Sequence, residues 1–219
     1  MTAFQEAATV TPATATTASK LTNDEKLREL VYFATLAASS HNTQCWKFQC
    51  SPADLSITVF PDLTRACPAV DPDNHHLFAS LGCAVENLTI AANHYGYAAD
   101  IDASRPENGI RIKLSASSHQ VDQKIELLFD AIPKRQVTRS EYDGQPLQQD
   151  ELAEAATGNG VRVELVTDPD KIKTITDFVV RANSSQLNNP DFLNELRTWI
   201  RFNEREATAK GDGLKMIDG

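Results

Sequence analysis

Along this chain, stretches whose apolar residues recur every three to four positions are interleaved with stretches where they recur every second position. Leu27, Leu30, Val31, Ala34 and Leu36 have the spacing of one helix face. Thr22 and Glu25 precede them at capping-box spacing, so a helix is expected from Thr22 to near Ser39, where Ser-Ser-His-Asn takes over. Trp46 and Phe48 open an extended segment; Leu55, Ile57 and Val59 alternate with polar residues as a strand, and Pro61 stops it. Asp62 to Val70 reads as loop. Asp71-Pro72-Asp73 is expected to open a long helix striped by Leu77, Leu81, Ala84, Leu88 and Ala91 and closed by Gly96. His94, Tyr95 and Tyr97 are expected to pack at its end. Ile110, Ile112 and Leu114 alternate as a further strand, and Gln120 to Ile132 reads as a helix ended by Pro133.

A basic turn, Lys134 to Arg139, leads into the second half. Pro146 to Ala156 reads as a short helix, and Val161, Val163 and Leu165 as a strand. Asp168-Pro169 and Asn189-Pro190 each start a helix, the latter presenting Phe192, Leu196, Trp199 and Ile200. After Gly211-Asp212-Gly213 comes one apolar pair and no closing element. The mixture lacks a regular βαβ rhythm, which favours an α+β fold with a mixed or antiparallel sheet flanked by helices. Residues 1–20, rich in Thr and Ala and without either period, read as a disordered tail.

Composition narrows the function classes. The 219 residues are 41% hydrophobic and 23% charged, with a formal net charge of −9. An acidic surface repels phosphate backbones, so nucleic acid is not expected as a partner. No run approaches the length of a membrane span, and residues 1–20 lack the pattern of a secretory signal. Cys45, Cys50, Cys67 and Cys83 form no C-x-x-C pair, and reduced thiols in a cytoplasmic protein are the expectation. His41, Cys45 and Cys50 fit no common zinc spacing, and His75 and His76 point apart on a helix.

P-loop, dinucleotide, nucleophile-elbow and zincin patterns are all absent. Gly158-Asn159-Gly160 precedes a strand and reads as a turn. The densest polar segment is Ser39-Ser40-His41-Asn42-Thr43-Gln44, between an apolar helix and Trp46. Asn and Gln carry both a donor and an acceptor, which suits the edge of a flavin, and serine hydroxyls suit a ribityl or phosphate group. A helix end running into a polar loop explains the same residues with less. Arg135 and Arg139 could clamp a phosphate; a solvated basic turn is the plainer account.

Ala38 to Phe48, with Ser39-Ser40-His41-Asn42-Thr43-Gln44 inside it, resembles the P-S-S-x-N-x-Q-P-W segment of FMN-dependent nitroreductases. Thr64-Arg65-Ala66, Val70 to Asp73, Ser80 to Leu88, Arg135-x-x-Thr138-Arg139 with Tyr142, Leu196-x-x-Trp199-Ile200-Arg201-Phe202 and Asp212-Gly213-Leu214 resemble the Acg branch of that superfamily. The resemblance spans roughly Leu21 to Gly219. It implies two nitroreductase-like halves, residues 21–118 and 119–219, the second incomplete at its C-terminus, with FMN between them. By this resemblance Ser39, Ser40, Asn42 and Gln44 contact the flavin and ribityl chain, while Arg135 and Arg139 take the phosphate and the reduced ring edge. No side chain is expected as a catalytic acid or base. Ala38 and Cys45 replace two prolines of the family pattern, and Gln136 and Val137 replace a basic and a hydroxyl residue. The implied activity is reduction of a small aromatic nitro or quinone acceptor by NAD(P)H. The alternatives are FMN storage without turnover and a flavin-free regulatory relative. The short second half is expected to be either a truncated product or one whose missing surface a second copy of the chain supplies, as a homodimer.

Overall fold

A computed structural model describes residues 21–118, 121–137, 145 and 164–215. The chain divides into one unit made of Met1–Gln136 with Glu195–Gly219, and a second made of Val137–Asn194.

In the first unit, helix α1 spans Asn23–Thr35. Thr22 caps it, and Glu25 reaches back to the Thr22 backbone N–H at 2.8 Å, the reciprocal box its spacing predicts. The helix ends at Thr35, short of the expected Ser39. Strands β1 (Trp46–Ser51) and β2 (Ser56–Pro61) follow. Leu55, expected in β2, sits in the preceding turn with φ 49°, and its carbonyl accepts from Leu114 N–H at 2.9 Å. Helix α2 spans His75–His94 and starts later than Asp71-Pro72-Asp73 suggests. Asn74 is its left-handed N-cap, and Asp71 caps from outside by accepting the Leu77 N–H at 3.0 Å. Gly96, with φ +79°, ends it as expected.

Strand β3 (Tyr97–Asp102) was not foreseen, because its alternating positions Tyr97, Ala99 and Ile101 are at most half-buried and Tyr97 was read with the end of the preceding helix. Strand β4 spans Ile110–Ala116 with Ile110, Ile112 and Leu114 buried and Arg111 and Lys113 exposed. The four strands form an antiparallel sheet in the order β1-β2-β4-β3. Helix α3 is Gln123–Ala131, N-capped by Asp122, so it begins three residues later than expected.

The core joins the stripe Leu77, Leu81, Ala84, Leu88 and Ala91 of α2 to Leu27, Leu30 and Phe33 of α1 and to Ile57, Val59, Ile112 and Leu114 of the sheet. Helices packed on a four-stranded antiparallel sheet make an α+β fold. Near the C-terminus of the described chain, Ile200–Arg201 (β5) pairs in parallel with Leu214–Lys215 (β6), and Glu204–Lys210 is helical. Leu214–Lys215 is thus a short strand where no element was expected after Gly213.

In the second unit a helix spans Pro169–Leu187, with Asp168 accepting the Lys171 N–H at 2.9 Å as its cap. A further helix, Pro190–Trp199, carries the chain back into the first unit. Leu165 is not in a strand. Pro146 to Ala156, Val161, Val163 and the tail 1–20 lie outside the described residues.

Candidate functional site

The polar segment after α1 folds into a tight, preorganised loop. Ser39 accepts the Gln44 N–H on its Oγ at 2.9 Å, closing the loop across five residues. Ser40–Asn42 form one 3-10 turn, and His41, Asn42 and Gln44 have φ of 49°, 51° and 51°. Left-handed backbone costs roughly 1–2 kcal/mol for a residue other than glycine, and such strain persists only where neighbours over-determine it. Here they do. The Ser40 N–H donates to Ser80 Oγ on α2 at 3.1 Å, and the Ser80 hydroxyl donates to the His76 carbonyl at 2.7 Å. Thr43 and Cys45 are buried, which pins the loop's far end to the core.

The segment Gly211-Asp212-Gly213 lies along the loop's other side. Asn42 Nδ2 donates to the Gly213 carbonyl at 3.1 Å, and the Gly213 N–H donates to the Asn42 carbonyl at 3.0 Å. Gln44 Nε2 donates to the Gly211 carbonyl at 2.7 Å. Asp212 sits between two guanidinium groups. Arg201 Nη2 and Nε reach its Oδ1 at 2.6 and 3.1 Å, and Arg65 Nη2 pairs with its Oδ2. Arg65 Nε also donates to the Thr43 carbonyl, so one arginine joins the loop to Asp212. The Trp199 ring lies 5.3 Å from the Arg65 guanidinium carbon and 5.9 Å from that of Arg201, a cation–π arrangement that orients both. Burial would by itself raise the Asp212 carboxyl pKa. The hydrogen bonds and charges of Arg201 and Arg65 outweigh it and hold the group below its ordinary value.

Beside the loop, Cys67 Sγ lies 3.7 Å from His41 Nδ1. Burial, reinforced by the negative charge of Glu195, pushes the Cys67 thiol up to about 11. It is a protonated thiol at neutral pH and a poor nucleophile. The Glu195 carboxylate itself accepts the N–H groups of Ala69 and Val70 at 2.8 and 3.1 Å.

Of the residues singled out from the sequence, Ser39, Ser40, Asn42 and Gln44 therefore share one loop. Arg135 is exposed, and its Nη2 donates at 3.2 Å to the Leu36 carbonyl at the end of α1, where the loop begins. Arg139, Thr138 and Tyr142 lie outside the described residues. The Arg65–Asp212–Arg201 clasp carries no local signal in the sequence; only the resemblance marked those positions, without a role for them.

The donor set suits a flavin in kind. Each of the Asn42 and Gln44 amides uses one N–H on a backbone carbonyl and keeps a second N–H and a carbonyl oxygen, the mixed polarity that a flavin edge presents.

No family model matches the chain. Two proteins, from two strains of Mycobacterium tuberculosis and each named "Putative NAD(P)H nitroreductase", are 30% identical to it over 182 residues, which is 80% of this chain and 51% of each relative. The chain spans about half the length of the curated relatives it matches. The similarity supports kinship with the nitroreductase family.

Proposed function

We propose that the chain is a nitroreductase-family protein of the Acg type that binds FMN at the Ser39–Gln44 loop and passes electrons from NAD(P)H to a small nitroaromatic or quinone. The observation that carries this reading is the loop itself. Three left-handed residues, braced from α2 and from residues 211–213, hold two amides and two serines together. Ser39, Ser40, Asn42 and Gln44 would hold the ring and ribityl chain, and Arg135 and Arg139 the phosphate. Bound flavin supplies the two-electron chemistry; the chain's residues orient it and exclude water. A cytoplasmic setting and pairing with a second copy of the chain belong to the same reading. No helix of the described residues is long and apolar enough to cross a membrane.

The test is the visible absorbance of the purified protein after incubation with FMN and desalting. A retained flavin band supports the reading, and a colourless protein overturns it. Hydrogen bonds to charged groups contribute about 1.5–3 kcal/mol, so Arg139→Ala is expected to weaken FMN binding roughly 10- to 100-fold in a fluorescence titration.

One observation favours a second reading, a relative that stores FMN without turnover or has lost it. The loop is fully braced by the chain's own Gly211 and Gly213 carbonyls, so its shape does not depend on a ligand. Steady-state NAD(P)H oxidation with a nitro acceptor separates the readings: turnover well above that of free FMN removes storage.

A further inference from the structure

The clasp around Asp212 is not neutral. Two guanidinium groups, of Arg65 and Arg201, meet one carboxylate, and the same two arginines keep that carboxylate ionised at neutral pH. One positive charge is left in excess, in a chain whose formal net charge is −9. Neighbouring carboxylates do not absorb it. Asp62, which caps the turn Leu63–Arg65, is paired with Lys47 at 2.9 Å. Glu195 is held by the Ala69 and Val70 N–H groups. Glu206, whose carboxyl feels Arg201, is paired with Lys210 at 3.0 Å.

The two arginines do not present that charge equally. The Arg201 side chain is buried, and its Nε, Nη1 and Nη2 all donate, to Asp212 and to the Thr198 and Ile200 carbonyls. The Arg65 side chain is 32% exposed. Its Nε donates to the Thr43 carbonyl and its Nη2 to Asp212, while its Nη1 makes no hydrogen bond among the described residues. The Thr43 bond fixes Arg65 on the backbone between Asn42 and Gln44. Residues 211–213 then order three donors along themselves: Gln44 on Gly211, Arg65 on Asp212 and Asn42 on Gly213. A cation with N–H groups to offer is flanked by two amides.

Such a row favours a ligand edge on which negative charge grows. A flavin gains that charge at its N1–C2 carbonyl edge on reduction, and protein charge near N1 tunes its electronics. Arg135, by contrast, is exposed and bonded to the Leu36 carbonyl, before the loop begins. We infer that Arg65, rather than Arg135, is the residue that favours reduced over oxidised FMN, through the uncompensated charge of the clasp. The inference rests on the flavin reading above and adds to it the residue that sets the cofactor's potential.

The experiment is titration of the full chain with oxidised FMN and, anaerobically, with dithionite-reduced FMN. The readout is the ratio of the two dissociation constants, which a purely structural defect, weakening both forms alike, does not move. Arg65→Met leaves Asp212 paired one to one with Arg201. It is expected to lower the parent's preference for reduced FMN roughly tenfold, a fall of about 30 mV for a two-electron couple. Asp212→Asn removes the opposing charge and is expected to shift the ratio the other way. A ratio in Arg65→Met equal to the parent's overturns the inference and leaves the flavin reading standing. So does a ratio in Asp212→Asn that is unchanged or falls, and this arm carries the test if Arg65→Met does not fold. A parent chain that binds neither form overturns both.

Discussion

Replacing Asp212 with alanine isolates the contribution of the clasp that ties residues 211–213 to the polar loop. The Asp212 side chain is 14% exposed, and that of its partner Arg201 4%. Removing one member of a buried ion pair strands the other charge and costs about 3–5 kcal/mol. Arg201 Nη1 keeps its bonds to the Thr198 and Ile200 carbonyls at 2.8 and 3.2 Å, and Arg65 keeps Thr43. The lower end, about 3 kcal/mol, is therefore expected. In urea, with m of about 2–3 kcal/mol/M for a chain of this size, that moves the midpoint down by about 1 M or more. Trp199, packed on both arginines, reports the loss directly in fluorescence. Lys210→Ala breaks an exposed i,i+4 pair with Glu206 and is the control, expected to leave the midpoint essentially unchanged. A D212A midpoint no lower than that of the control refutes the reasoning. The clasp also sets a pH dependence. The folded-state pKa of Asp212 lies below its unfolded value of about 3.9. Its stabilisation is therefore present above about pH 4 and is lost as pH falls below that, through the folded-state pKa. The parent should lose stability in that acid window, and D212A should lose less of it.

Gly213 has φ +79°, and a β-carbon there would stand 2.5 Å from the Trp199 carbonyl oxygen, so Gly213→Ala should destabilise by on the order of 1–3 kcal/mol in the same urea assay. Leu81 is fully buried at the centre of the α2 stripe, and Leu81→Ala should cost about 3–5 kcal/mol by thermal or urea denaturation. Thr22→Ala removes the α1 cap and should cost about 1 kcal/mol in the same assay; an unchanged midpoint would mean that the cap hydrogen bond contributes nothing.

Local chemistry was legible in the sequence and long-range closure was not. The Thr22 box, the α2 stripe and the alternation in β4 involve neighbours a few residues apart, where spacing alone decides which face is buried. The start of α2 was misplaced for an instructive reason. Asp71 is indeed a cap, but it reaches Leu77 across a left-handed Asn74, so the right residue acts in a different register. β3 escaped notice because its alternating positions, Tyr97, Ala99 and Ile101, include a small alanine and are only partly buried or, at Ile101, exposed. Glu204–Lys210 escaped because its residues are polar and small, without a stripe. At the candidate site the sequence marked Ser39, Ser40, Asn42 and Gln44 as a group, and they do share one loop. What it could not carry is that Arg65 would meet Asp212, a partner 147 positions away.

That separation has a kinetic consequence during synthesis. Asn42 emerges from the ribosome 171 residues before Gly213, whose carbonyl it binds. At roughly 5–20 residues per second, the interval is about 10–30 s. Throughout it, α1, the sheet and α2 can assemble, while the strained backbone at His41, Asn42 and Gln44 lacks its C-terminal braces. The loop is therefore a late-maturing part of a fold whose core is complete early. A nascent chain probed by limited proteolysis should stay open to cleavage there until residues 211–213 have left the exit tunnel.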